Sequence, residues 1–249
     1  MKIGVSTLAS QGENLEDFLI FVEDLNVDYV EILNEYPNHE VDRELLDSYS
    51  MKYTIHSPIA DLNLGALNKS INKASINEIK RSITIANEIN SNLVVIHPGR
   101  VSFTGRFFED KIKAISEESM KICGRFGEDL GVTVAVENMP KMEGFLYQDP
   151  AELNEFLENN SMAMTLDIGH MHTYNPKIDS YFKTVKHIHL SDNNGDFDHH
   201  YPLGEGTINF KDIIMKYEKN NYMNVYVIEV NDKESVIKSL DYLNNLNNI

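Results

Sequence analysis

Short apolar, β-branched runs alternate along the chain with longer stretches in which apolar residues recur every three or four positions. The first kind predicts strands at KIGVST (2–7), DYVEIL (28–33), KYTIHS (52–57), NLVVIHP (92–98), VTVAVEN (132–138), MAMTLDI (162–168), VKHIHLS (185–191) and NVYVIEV (224–230). The second predicts helices near 14–26, 42–50, 70–90, 109–130, 149–159, 178–184, 209–220 and 232–246, with start signals at Asn14, Asp149-Pro150 and Asn209. No Pro/Gly/Ser-rich linker or low-complexity tract interrupts these eight strand–helix units. Strict alternation over 249 residues predicts one α/β domain spanning 1–249, a closed (β/α)8 TIM barrel, for which about 250 residues is typical. The competing open, doubly wound sheet finds no GxGxxG or P-loop sequence to support it.

Residues two apart on a strand share a face. In VTVAVEN, Val132, Val134 and Val136 form one face, and Thr133, Ala135 and Glu137 form the other. The wholly apolar face is expected against the helices and the mixed face inside the barrel. Six strands then carry a polar inner residue at their C-terminal ends: His56, His97, Glu137, Asp167, His189 and Glu229. Glu31 does the same on the second strand. Strand C-termini are where such barrels carry their active sites.

Three imidazoles and three carboxylates around one mouth make a donor set suited to Zn²⁺ or Mn²⁺, or to Fe²⁺ or Co²⁺. His170, three residues after Asp167, joins Asp198 and His200 in a second group able to hold a further ion. A lone buried histidine is more often a hydrogen-bonded core residue than a ligand. Six such groups buried together without a cation, however, would be costly. His187 is expected one layer below His189, in support of it. His39, His172 and His199 fall outside the pattern and read as surface or loop residues.

Asp plus Glu outnumber Lys plus Arg by 39 to 22, giving a formal charge of −17. Such a surface repels nucleic acid and anionic membranes at long range, and bound divalent cations would offset part of the charge. The stretch HIHLSDNNGDFDHHYPLGEG (187–206) concentrates histidines and carboxylates with no Lys or Arg among them. The single cysteine, Cys123, excludes an intramolecular disulfide and a cysteine-rich zinc module, and its helical setting reads as packing. The opening MKIGVSTLAS reads as a strand, not a signal peptide, and the apolar runs fall far short of a membrane span. A soluble, cytoplasmic protein is expected.

HSP at 56–58, HPG at 97–99, EN at 137–138, LDIGH at 166–170, HLSD at 189–192, DHHYPLGEG at 198–206 and IEV at 228–230 follow in an order that resembles the xylose-isomerase-like TIM barrels. That superfamily joins sugar-phosphate isomerases and epimerases with endonuclease IV, the abasic-site DNA nuclease. The resemblance covers essentially the whole chain, and the ordered set is specific although each motif alone is weak. Its endonuclease branch implies three zinc ions: one on His56, His97 and Glu137, one on Glu137, Asp167, His189 and Glu229, and one on His170, Asp198 and His200. Its isomerase and epimerase branch implies a single ion on Glu137, Asp167, His189 and Glu229, with Glu137 and Glu229 exchanging protons with the substrate carbon.

Two chemistries follow. In the first, a divalent ion acidifies a C–H between the carbonyl and hydroxyl of a sugar or sugar phosphate, and Glu137 and Glu229 act as base and acid. Glu31, Arg100 and Arg106 are then candidates for substrate contact, the arginines for a phosphate or carboxylate; exposed loop arginines are the bland alternative. The second is multi-zinc phosphodiester hydrolysis. The loops at the mouth hold few cations for a duplex: Lys69, Arg100, Arg106, Lys141, Lys177 and Lys233. The first chemistry is the one expected. A metal-binding protein without catalysis is disfavoured by the spare acid–base groups.

Overall fold

The computed structural model describes residues 1–174 and 181–247. Eight parallel strands, β1 (Lys2–Ser6), β2 (Tyr29–Leu33), β3 (Lys52–His56), β4 (Leu93–Ile96), β5 (Thr133–Glu137), β6 (Ala163–Asp167), β7 (Val185–Leu190) and β8 (Val225–Ile228), close into a barrel in chain order. The ring is sealed by β8 pairing back onto β1. Each strand is followed by a helix: α1 (Leu15–Glu23), α2 (Arg43–Asp47), α3 (Lys69–Glu88), α4 (Glu109–Asp129), α5 (Pro150–Asn159), α6 (Ile168–Tyr174), α7 (Phe210–Lys219) and α8 (Lys233–Asn247). The expected (β/α)8 barrel is the observed fold. No helix among the described residues is long and apolar enough to cross a membrane.

The start signals act as anticipated. Asn14, Asp149 and Asn209 each accept a hydrogen bond from a backbone N–H of the first turn they precede, pairing a donor the helix itself leaves free. The faces also divide as the alternation requires. Val132, Val134 and Val136 join the main apolar core, together with Met120 and Cys123 of α4. Leu93, Val95 and Ala135 form a separate small cluster, with Ala163 against it. That cluster is the floor of the barrel interior, and the polar strand ends lie above it. Burial pushes the Cys123 thiol up to about 12, consistent with an inert packing residue.

One element departs from expectation. No helix occupies 181–184, which form a turn, and 178–180 lie outside the described residues. The helix after β6 is instead α6, which starts directly on the strand end. Asp167 starts it, its Oδ1 accepting from the His170 N–H at 2.6 Å. The helix can begin so tightly only with glycine at 169, where a Cβ would lie 2.3 Å from Ser191 Oγ.

Candidate metal centre

Strand register sets the depth of each polar residue. Thr165 pairs with His187 and Asp167 with His189, so His187 lies one layer below His189. Glu31 pairs with Thr54 rather than with His56, so it too belongs to the lower layer. At the mouth, Glu137 is the hub. Its Oε2 lies 3.1 Å from both His56 Nε2 and His97 Nε2. Its Oε1 lies 3.3 Å from His189 Nδ1 and 3.3 Å from His170 Nδ1. Glu229 Oε2 approaches His189 Nδ1 to 3.2 Å. Asp198 Oδ2 sits between His170 Nε2 at 3.1 Å and His200 Nε2 at 3.0 Å.

The donors fall into sets whose ligand atoms lie within 4.8 Å of one another: His56, His97 and Glu137; Glu137, Asp167, His189 and Glu229; His170, Asp198 and His200. These are the residues anticipated from the strand ends and from the stretch 187–206. A fourth set, Glu31, His187 and His189, lies beneath them.

The imidazole tautomers favour a cation. His56 Nδ1 donates to Ser57 O, His170 Nδ1 to Asn138 O and His200 Nδ1 to Glu229 O, each at 2.8 Å. A carbonyl only accepts, so Nδ1 carries the proton and a neutral ring aims the Nε2 lone pair at a carboxylate oxygen. Two lone pairs facing each other about 3 Å apart repel unless positive charge lies between them. Two ligands on one tetrahedral zinc, each about 2.0–2.1 Å from the ion, are about 3.3 Å apart. Asp167 Oδ2 and Asp198 Oδ1 are moreover buried without a hydrogen-bond partner. A self-satisfied polar network would not leave them so. The donor set and its orphaned oxygens fit divalent metal.

The titration behaviour shows the same demand for positive charge. Among the described residues, every ion-pair partner of Glu31, Glu137, Asp167, Asp198 and Glu229 is a histidine. Burial pulls the His56 imidazole down, but its Glu137 hydrogen bond and the surrounding carboxylates raise it to about 9. Burial likewise opposes charge on His200, which Asp198 and its neighbours lift to about 9. Burial works against ionised Glu137 and Glu229, yet the neighbouring imidazoles, His189 foremost, hold both low. Burial raises Asp167 to about 7, with His170 opposing and the Glu137 and Glu229 charges reinforcing.

The sequence profile of the xylose isomerase-like TIM barrels matches residues 19–246. The chain belongs to this family. An uncharacterized protein of Methanocaldococcus jannaschii, MJ1614, is 35% identical over 246 residues, covering 94% of this chain and 93% of its own. The crystal structure of a D-tagatose 3-epimerase-like protein is similar with a TM-score of 0.90 at 28% identity, covering 100% of this chain and 97% of that one. Probable endonuclease 4 of Malacoplasma penetrans is 25% identical over 186 residues, 67% of this chain and 62% of that protein.

In this xylose isomerase-like barrel the anticipated substrate contacts are placed differently from the metal-ligand candidates. Glu31, read from strand position as a substrate contact, has no exposed surface and lies in the layer below the mouth, beside His189. Arg100 and Arg106 are exposed on the loop after β4. The Arg100 guanidinium donates to Ala60 O at 3.4 Å, and that of Arg106 lies over the rings of Phe103 and Phe107, 4.3 and 5.2 Å from their centroids. Tyr147 is buried and donates its hydroxyl to Glu117 Oε1 at 2.8 Å, so it packs. Lys177 lies outside the described residues. His39, His172 and His199 join none of the donor sets.

Two residues that build the site were missed. Asn138 clips β5 to β6: its Nδ2 donates to Asp167 O at 3.0 Å and its Oδ1 accepts from Asp167 N at 2.9 Å. Asp192 accepts from Asn193 N, Gly204 N, Gly206 N and Ile208 N at 2.9 to 3.2 Å. It thereby folds the loop that carries Asp198 and His200. Gly206 is required there, since a Cβ would fall 2.3 Å from Asp192 Oδ1. The EN pair and the glycines of PLGEG were the available signals.

Proposed function

We propose that this protein is a divalent-metal-dependent isomerase or epimerase of a small sugar, with zinc or manganese held by Glu137, Asp167, His189 and Glu229. The observation that carries the reading is the placement of Glu137 and Glu229. They approach His189 Nδ1 to 3.3 and 3.2 Å, side by side at the mouth of the barrel. An ion held by these residues would supply the positive charge that acidifies the C–H between the carbonyl and adjacent hydroxyl of the sugar. One carboxylate then takes that proton, and the other, bearing a proton, returns one to the opposite face or the neighbouring carbon. The similarity to a D-tagatose 3-epimerase-like protein supports this direction.

A sugar or a sugar phosphate fits this reading, with Arg100 the exposed cation for a phosphate. Arg106 is engaged with two phenylalanines and Lys233 with Glu13. The complete His170–Asp198–His200 set and the similarity to probable endonuclease 4 favour a second reading, phosphodiester hydrolysis on up to three zinc ions. The deciding experiment incubates metal-loaded protein with ketoses in heavy water and follows deuterium uptake by NMR. Uptake at a carbon beside the carbonyl, abolished by chelator, is expected. Chelator-sensitive nicking of abasic-site duplex with no exchange would overturn the reading in favour of the second.

A further inference from the structure

Glu31, His187 and Thr54 form a buried layer directly beneath His189, and Glu31, His187 and His189 have no exposed surface. Glu31 Oε2 accepts from His187 Nε2 at 2.7 Å and from Thr54 Oγ1 at 2.9 Å. Glu31 Oε1 lies 2.8 Å from His189 Nε2, off the N–H line, and neither atom has a hydrogen-bond partner. Each is therefore the group available to the other. An ionised carboxylate only accepts, so both ring nitrogens that face Glu31 must carry protons.

His189 is consequently reversed relative to its neighbours. His56, His170 and His200 are anchored at Nδ1 by backbone carbonyls and present Nε2. His189 sets Nε2 against Glu31 Oε1 at 2.8 Å and presents Nδ1 to Glu137, Glu229 and Asp167 at 3.3, 3.2 and 3.7 Å. The reason is topological. His189 points into the barrel, where strand carbonyls are committed to the parallel ladders, so a side chain must supply the acceptor. Glu31 does so from β2, three strand positions around the ring from β7, with β8 and β1 between them. His187 and Thr54 leave its carboxylate little freedom to turn.

We propose that Glu31 is a positioning residue that fixes His189 in the Nε2–H tautomer, so that Nδ1 is the atom offered to a divalent ion. This rests on the reading of Glu137, Asp167, His189 and Glu229 as metal ligands. Glu31 touches neither substrate nor ion; it acts through His189, with His187 and Thr54 as its props.

The test compares wild type and Glu31→Gln, both reconstituted with zinc, by competition with a chromophoric chelator and by nitrogen NMR of isotopically labelled histidines. Glutamine keeps the volume, but its single carbonyl oxygen cannot serve both imidazoles. In wild type, His189 is expected to be protonated at Nε2 and coordinated through Nδ1. Glu31→Gln is expected to lose about ten- to hundredfold in affinity for the ion at that set. The His170–Asp198–His200 set should keep its affinity, which a general loss of folding would not allow. A zinc-loaded wild type with His189 protonated at Nδ1, or unchanged affinity in Glu31→Gln, overturns the assignment. If the variant does not fold, the wild-type spectrum decides alone. A wild type that takes up no zinc overturns the metal reading itself, which is a separate outcome from binding that ignores Glu31.

Discussion

Glu229 and Glu137 are the residues on which the chemistry turns. Replacing Glu229 by glutamine preserves its size and its reach toward His189 but removes its capacity to carry a proton. Proton exchange at the sugar is expected to fall by at least about 10²–10⁴-fold, because the change removes an acid–base group and an anionic ligand of the ion together. Exchange at the wild-type rate in Glu229→Gln would assign the proton to another group. His56, His97, Glu137, Asp167, His189 and Glu229 were legible because inner-face alternation and strand termination both mark them. Depth was not legible for Glu31. Alternation says only that a side chain points inward, whereas its layer depends on which residue of β3 it pairs with. That partner is Thr54, not His56, which puts Glu31 a layer lower, within 2.8 Å of His189.

At the scale of the element, the loop from Asp192 to Ile208 is the most consequential piece of the site. Backbone hydrogen bonds join Asp192 to Tyr201, 2.9 Å in each direction, and the rest of the loop is gathered by the Asp192 carboxylate. Asp192→Ala leaves buried N–H groups without their charged acceptor, and is expected to cost about 3 kcal/mol. For a chain of this size that corresponds to a fall in Tm of about 6–12 °C, read by thermal unfolding followed by circular dichroism. A fall of under 2 °C or so would show that the loop is held by other contacts. The same region shows where the sequence was hardest to read. PLGEG is recognisable as a turn, yet nothing local reveals that Asp192, a dozen residues earlier, is its acceptor. The helix α6 escaped notice because IGHMHTY is too short to display a helical period, and its start is set by Asp167, which reads first as a ligand.

For the whole molecule, a formal charge of −17 and a mouth built from carboxylates and histidines bear on what can approach. Duplex DNA needs several phosphate contacts, and the cations near the strand C-termini are few or already engaged. Fluorescence anisotropy with an abasic-site duplex at roughly physiological salt is expected to show no binding tighter than about micromolar. Nanomolar binding there would favour the hydrolytic reading. Closure of the barrel was legible from eight alternating units. The acidity of the mouth makes sense once cations are included, since Glu137 belongs to two donor sets at once.

The most direct test is therefore the metal content per chain, by elemental analysis of protein reconstituted with zinc or manganese and then desalted, for wild type and Glu137→Gln. Wild type is expected to retain metal, and Glu137→Gln to lose the ions of both sets that share Glu137 while keeping at most the one at His170, Asp198 and His200. A wild type that retains no metal, or a Glu137→Gln protein with undiminished content, would contradict a metal centre built on this carboxylate.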